Sequence, residues 1–270
     1  MNGSKKNVVI LAAGDFPTHP VPLCALREAD FVVCCDSAYC RFSIFNSQFS
    51  IPFVVVGDGD SLSESDKRAL GDRWVHVDEQ DYNDLHKAMA WVMSGKWKAE
   101  SGEWKAESGK WKAESGEWKV ESGKWKAESG KWKAESGKSM DASANSPLST
   151  FHFQLLGATG RREDHTLGNI SYLVTFGEEY PGIDLEMLTD HGRFTAFRGC
   201  RRFDTFPRQQ VSVFSMDPEQ QVSGSGLKWP LDGMRIRRWW QATLNEALAD
   251  SVELRSEGWL VLFRTYDPKV

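Results

Sequence analysis

Short apolar runs alternate with longer mixed stretches through the first part of the chain. Residues 8–12, 31–35 and 53–56 are continuous apolar segments of strand length, and the stretches between them are long enough to hold helices. Over residues 81–93, Leu85, Ala88, Met89 and Val92 fall on one helical face, and residues 151–156 then read as another buried strand. Runs without polar alternation mark strands covered on both faces, so the pattern predicts a parallel sheet with helices packed against it. Beyond about residue 193 the texture changes. Residues 195–197, 210–214, 251–254 and 259–263 are short strand candidates broken by Gly, Pro and Asp. The expected fold is α/β: an N-terminal parallel-sheet domain over residues 1–192, followed by an all-β sandwich domain over residues 193–270.

One segment obeys neither pattern. From Gly95 to Ser136 the unit G-[KE]-W-K-[AV]-E-S recurs six times without a gap, spacing Trp97, Trp104, Trp111, Trp118, Trp125 and Trp132 seven residues apart. A coiled coil needs a second apolar position in each heptad, and here Glu and Ser stand where it would fall. The recurring Gly, at about 1 kcal/mol each relative to Ala, also opposes a helix. Trp, Ala and Ser alternate with Lys and Glu at a strand-like period of two, so the repeat is expected to be locally extended or disordered, with hairpins conceivable at Ser-Gly. A Ser-, Ala- and Asn-containing linker continues it to about residue 150. The identity of the units reads as a tandem duplication; a Trp-rich docking surface is the functional alternative.

Composition narrows the function. The 270 residues carry 33 Lys+Arg against 38 Asp+Glu, a formal net charge of -5. No basic surplus exists to neutralise nucleic-acid phosphates or anionic lipid. No apolar stretch has the length of a signal sequence or membrane span, so a cytoplasmic location is expected. Cys24, Cys34, Cys35 and Cys40 crowd together without metal-ligand spacing, and reduced thiols are the expected state.

The chemistry collects where the predicted strands end. In sheets of this class ligands sit outside the carboxyl ends of the strands. The third run leads into Gly57-Asp58-Gly59-Asp60-Ser61, two carboxylates around a permissive Gly, which suit a hard divalent cation or simply form an acidic turn. Asp78-Glu79-Gln80-Asp81-Tyr82-Asn83-Asp84 opens the helix that carries Lys87, and Asp81, Asp84 and Lys87 would share one face near its N-terminus. Helix capping by Asp81 and a surface Asp84–Lys87 pair is the plainer explanation. Gly157-Ala158-Thr159-Gly160-Arg161-Arg162-Glu163-Asp164-His165 follows the fourth run, pairing glycines for close backbone approach with arginines that can clamp phosphate. Neither a Walker A motif nor a G-x-G-x-x-G fingerprint occurs. Together the three clusters describe a site for a metal-bound polyphosphate.

The three clusters resemble, in order, the G-D-x-D-S, D-Q-D-x-[TN]-D-[LF]-x-K and G-A-x-G-x-R-x-D-[HQ] motifs of the thiamine pyrophosphokinase family. Ser225-Gly226-Leu227-Lys228-Trp229-Pro230-Leu231 is similar to the family's T-G-L-K-[WY]-P-L signature, and Asn245 stands where the family has its S-N pair. The segment from Trp239 to Glu246 resembles the bacterial branch in particular. The resemblance implies transfer of the pyrophosphoryl group of ATP to the hydroxyl of thiamine, with AMP released, in a homodimer that binds thiamine between its subunits. It implies that Asp58, Asp60 and Asp84 hold Mg²⁺ (or Mn²⁺). Gln80, Asp81, Lys87, Arg162 and Asp164 would surround the phosphates and the attacking hydroxyl. Asp36, Gly57, Gly160 and His165 join them on the ATP side, and Trp229, Thr243 and Asn245 would meet thiamine. The chain departs from the family's D-G-[GA]-A-N-[RK]-L turn, reading Asp36-Ser37-Ala38-Tyr39-Cys40-Arg41-Phe42. Two rival functions start from the same residues: a metal-dependent nucleotide-sugar or nucleotidyl transferase built on Asp58-Gly59-Asp60, and a non-catalytic regulator that binds thiamine or nucleotide.

Overall fold

The computed structural model describes residues 5–94 and 150–268, together with the backbone of six short strands between them. In chain order the first half holds β1 (Lys6–Leu11), α1 (Pro20–Arg27), β2 (Phe31–Cys35), α2 (Ala38–Asn46), β3 (Phe53–Gly57), α3 (Glu64–Leu70), β4 (Trp74–His76) and α4 (Asp84–Met93). The short strands are β5 (Ala99–Glu100), β6 (Glu103–Trp104), β7 (Ala113–Glu114), β8 (Glu117–Val120), β9 (Gly123–Glu128) and β10 (Lys131–Ala134). The second half continues with β11 (Phe151–Leu156), α5 (Glu163–Glu179), β12 (Leu185–Leu188), β13 (Gly192–Asp204), β14 (Gln209–Ser215), β15 (Gln221–Ser225), β16 (Met234–Arg235), β17 (Asn245–Glu246) and β18 (Ser251–Pro268).

The strands β12-β11-β1-β2-β3-β4 form a parallel sheet in that order. Every residue of β2, FVVCC, is buried, as expected of a strand covered on both faces. Val8, Ile10 and Phe153 pack with Leu85 and Met89 of α4 and Leu173 and Phe176 of α5. On the opposite face Val9, Leu11 and Val55 meet Leu26, Phe42 and Leu70 from α1, α2 and α3. The chain proceeds from β1 to β4 in one direction and then returns to the other side of β1, so the strand order reverses between β1 and β11. That reversal opens the crevice where ligands bind in such sheets.

The C-terminal half is β-rich, with a core of its own built from Phe197, Phe203, Val211, Val213, Val222, Leu254 and Leu262. It is not detached from the first sheet: β13 pairs antiparallel with β12 through Met187↔Phe194 and Leu188↔Arg193, which joins the two halves in one hydrogen-bonded ladder. The segments expected as separate strands at 251–254 and 259–263 are one strand, β18, pairing with β13, β14 and β15. At the amino end of the parallel sheet His152 lies 3.1 Å from both Asp184 and Glu186, and hydrogen bonds to these carboxylates push its imidazole up to about 9. This charged strut stands at the edge opposite the acidic clusters.

Within the repeat, β5 pairs with β6, and β7 through β10 form an antiparallel ladder in which Ala113↔Trp118 and Trp132↔Ala127 are opposite. The remainder of the expected extended or disordered insert lies outside the described residues. No described helix is long and apolar enough to cross a membrane. All five cysteines are free.

The insert leaves the C-terminal end of α4 and re-enters at the start of β11, both at the amino end of the sheet. Replacing residues 95–149 with a short Gly/Ser linker is therefore expected to keep kcat/KM within about twofold and the unfolding temperature within about 3 °C. Steady-state kinetics and a thermal melt of the shortened protein check this, and a folded but inactive product would contradict it.

Candidate active site

The loops after β1, β2, β3, β4 and β11 meet at the carboxyl edge of the sheet and are laced together. Gly14 N–H donates to the Gly157 carbonyl at 2.7 Å and Asp15 N–H to the Thr159 carbonyl at 2.9 Å. A Cβ on Gly14 would stand 2.3 Å from that Gly157 oxygen, and one on Gly160 would collide with the Asp15 carboxylate, so both positions require Gly. A second lace joins the helix clusters. Asn83 Nδ2 donates to Asn169 Oδ1 at 3.1 Å, and Asn169 Nδ2 donates to the Ala158 carbonyl at 2.8 Å.

The helix begins later than the sequence pattern indicated. Asn83, not Asp81, caps α4: its side chain accepts from His86 N–H at 3.0 Å. Asp81 stays in the preceding loop, where its N–H and that of Tyr82 donate to the buried carboxylate of Glu79. Asp84 is the first helical residue and Lys87 stands one turn on.

Lys87 is the centre of the site. It is 3% exposed, and its Nζ lies 2.9 Å from Asp58 Oδ2 and 3.3 Å from Asp84 Oδ1. Burial alone would depress the ammonium, but the two carboxylates outweigh it and hold the group above its ordinary value. Burial likewise pushes Asp58 up, yet the Lys87 hydrogen bond, the Asp60 N–H and Gln80 Nε2 bring its net value below the usual carboxylate range. For Asp84 burial prevails over Lys87 and its carboxyl is raised.

Asp36 lies beside this group at the end of β2. Its Oδ2 accepts from Ser61 N–H at 3.0 Å, which anchors the acidic turn, while its buried Oδ1 has no hydrogen-bond partner among the described residues. Burial, with Asp58 and Asp60 nearby, raises its carboxyl despite the Ser61 bond. Its φ of +33° lies in the region that strains most non-Gly residues and that Asp and Asn tolerate best. Gly57 is required beneath it, since a Cβ there would approach Asp36 Cβ to 2.9 Å.

The expected metal carboxylates are not gathered into a ready-made cage. Among the described residues no three His, Cys, Asp or Glu side chains form a metal-binding group. Lys87 bridges Asp58 and Asp84, and Asp60 is exposed. The donor set nonetheless fits a hard cation that takes one or two carboxylates and completes its shell with phosphate and water. Excess negative charge around one ammonium and the unpartnered Asp36 Oδ1 both call for a further cation.

Gln80 and Asp81 flank this group from the exposed loop. Gly160, Arg162, Asp164 and His165 sit at the start of α5, where Arg162 and Asp164 are exposed and paired through Nε–Oδ1 at 3.1 Å. In the C-terminal half Asn245 is buried, and its amide is committed to backbone. Oδ1 accepts from Trp229 and Glu246 N–H at 3.1 and 2.8 Å, and Nδ2 donates to the Trp229 carbonyl at 2.7 Å. Asn245 thereby fixes Trp229, whose indole is half exposed beneath the Lys228 ammonium. Thr243 Oγ1 donates to the Trp240 carbonyl at 2.8 Å.

Two family models match the chain: "Thiamin pyrophosphokinase, catalytic domain" over residues 24–100 and "Thiamin pyrophosphokinase, substrate-binding domain" over residues 192–263. Together they span more than half of the sequence, and the first contains the Asp36, Asp58, Asp84 and Lys87 group. The chain belongs to the thiamin pyrophosphokinase family. A nucleotide-sugar transferase is not favoured by this result. No curated protein matches the sequence. Among solved structures, the thiamin pyrophosphokinase from Candida albicans has a TM-score of 0.69 at 17% identity, covering 97% of this chain and 90% of its own. The yeast enzyme has a TM-score of 0.66 at 15% identity, covering 98% of this chain and 87% of its own. The Bacillus subtilis enzyme has a TM-score of 0.63 at 17% identity, covering 97% of this chain and 100% of its own. The family fold thus extends over both halves, including the 157–169 loop and helix start that lie in neither matched region.

The raised Asp36 carboxyl costs stability whenever it is ionised. A group with a folded pKa above its unfolded one destabilises the folded state above that range and ceases to do so as pH falls through it. Asp36→Asn keeps an acceptor for Ser61 and tolerates the positive φ. It is expected to raise the ligand-free unfolding temperature at pH 7 by about 2–4 °C while lowering turnover. Thermal melts from pH 4 to 8 check the sign: the advantage should shrink toward low pH.

Proposed function

We propose that the protein transfers the pyrophosphoryl group of ATP to the hydroxyl of thiamine, forming thiamine diphosphate and AMP. The observation that carries this reading is the buried Lys87 ammonium held between Asp58 and Asp84 at the carboxyl edge, in a chain of the pyrophosphokinase family. The hydroxyl oxygen attacks the β-phosphorus and gives up its proton to solvent, the bond from that phosphorus to the oxygen bridging it to the α-phosphorus breaks, and AMP leaves with that oxygen. Little of this is covalent work for the protein, so its contribution is positioning and charge neutralisation.

Each residue's part follows from its surroundings. Lys87 stays protonated and offers its charge to the transferred phosphates. Asp58, Asp60 and Asp84 are the residues to hold Mg²⁺, or Mn²⁺ in its place, with Asp36 supporting the turn beneath them. When bound, the metal supplies neutralisation of the polyphosphate charge. Gln80 and Asp81 reach the phosphates from the loop before α4, and Arg162, Asp164 and His165 from the start of α5, where exposed side chains can turn toward an arriving nucleotide. Gly57 and Gly160 keep the backbone close to it.

Thiamine is assigned to the C-terminal half. The exposed indole of Trp229 offers a face to its aromatic rings, with Asn245 holding that indole and Thr243 beside it. Trp239, Trp240, Leu244 and Leu248 leave a large apolar area exposed in the same half. A second copy of the chain would cover it, which supports a homodimer with thiamine between subunits. The reading includes a cytoplasmic location, where ATP is at hand.

Purified protein given thiamine and MgATP is expected to form thiamine diphosphate and AMP in equal amounts. Asp58→Ala should lose turnover by about 10²-fold or more while remaining folded. Thiamine monophosphate with ADP as products, or undiminished activity in Asp58→Ala, would contradict the assignment.

A further inference from the structure

A cavity of about 230 Å³ lies beside the acidic group, at the carboxyl ends of β1 and β2. Its lining combines Gly14 and Phe16 from the loop after β1, Ser37 and Cys40 at the start of α2, and two arginines, Arg41 and Arg161. Asp36 and Ser37 separate it from the Lys87 group: Asp36 anchors the acidic turn through Ser61, and the next residue walls the cavity. The two sites are therefore adjacent compartments along one edge of the sheet.

The two arginines of the third cluster have opposite environments. Arg162 is tied to Asp164 and does not line the cavity. Arg161 lines it, and neither the Arg161 nor the Arg41 guanidinium makes a hydrogen bond or ion pair with any described residue. Arg161 also holds a φ of +55°, a conformation that L side chains rarely adopt and that the neighbouring Gly160 shares at +79°. The turn of the chain at 160–161 thus directs one guanidinium to the cavity and the next away from it. Two uncompensated guanidinium groups and the amino end of α2 make the cavity positive, whereas the neighbouring compartment is acidic and suited to a cation. Apolar lining from Ala12, Ala13, Phe16 and Ala38 accompanies the charge. An anion joined to a flat apolar body matches such walls, with Arg able both to clamp phosphate and to stack on a base.

We propose that Arg161, with Arg41, seats the nucleoside monophosphate half of the nucleotide, and that Arg161 rather than Arg162 contributes most of its arginine-dependent affinity. The proposal rests on the pyrophosphokinase reading and divides ATP between the compartments: the part that leaves as AMP in this cavity, the transferred pyrophosphoryl group against Lys87.

Calorimetric titration of the full chain with ATP, AMP and inorganic pyrophosphate, each with Mg²⁺, tests the division. Arg161→Gly removes the guanidinium and suits the positive φ, and Arg161→Lys keeps the charge. Loss of charge-assisted hydrogen bonds should weaken AMP and ATP binding in Arg161→Gly by about tenfold or more, with pyrophosphate changed less than about twofold. Arg161→Lys should recover part of the loss, and Arg162→Ala, on the side of the transferred phosphates, should weaken pyrophosphate and ATP more than AMP. Unchanged AMP affinity in Arg161→Gly, a loss confined to Arg162→Ala, or an equal loss for pyrophosphate would overturn the proposal. Wild-type protein that binds ATP with an unaffected Arg161→Gly variant defeats this inference alone. Wild type that binds neither ATP nor AMP defeats the pyrophosphokinase reading with it.

Discussion

A buried ammonium must be paired, and in this chain the pairing of Lys87 organises the site. Nearly inaccessible to solvent, it is held in its charged form by Asp58 from the end of β3 and Asp84 from the start of α4. An unpaired charge at that depth would be strongly unfavourable, so strand end and helix start are bound to one geometry. Asp36 extends the arrangement to β2 through Ser61, and the Asn83–Asn169–Ala158 bonds extend it to β11 and α5. Five elements that are distant in sequence are thereby fixed at one edge by polar contacts, over apolar clusters on both sheet faces.

The same arrangement is electrostatically incomplete. Burial raises Asp36 and Asp84, and one oxygen of Asp36 has no partner among the described residues, so the ligand-free protein carries carboxylates that a metal–nucleotide complex would relieve. The adjacent cavity has the opposite imbalance, with two guanidinium groups lacking partners among the described residues. A substrate whose charges alternate in the same order would satisfy both. Stability withheld from the empty site becomes binding energy, which is the usual relation between a fold and its functional edge.

Much of this was legible in the sequence because its signals are local. Unbroken apolar runs marked β1, β2, β3 and β11, and acidic or glycine-rich clusters immediately after them marked the edge where they converge. What was not legible depends on tertiary contacts. Trp74–His76 and Leu185–Leu188 are too short to announce themselves as strands, and β18 read as two strands because Ser256 to Gly258 interrupt its apolar pattern. Asp81 and Asn83 are both competent caps, and the choice of Asn83 follows from where Glu79 holds the preceding backbone. Arg161 and Arg162 are chemically identical neighbours that the positive φ at 161 and the Arg162–Asp164 pair distinguish. Asn245 enters the thiamine site by resemblance alone, and its amide bonds to the Trp229 backbone are a tertiary contact that the sequence does not announce.

Whether the carboxylates around Lys87 take a divalent cation together with a polyphosphate is read from Mn²⁺ binding followed by electron paramagnetic resonance, with and without a non-hydrolysable ATP analogue. With Lys87 already bridging Asp58 and Asp84, Mn²⁺ alone should bind weakly, and binding should tighten by about tenfold or more when the analogue supplies further oxygen ligands. That gain should disappear in Asp58→Ala. Mn²⁺ affinity that is equally strong without nucleotide, or a gain that survives in Asp58→Ala, would contradict that joint binding.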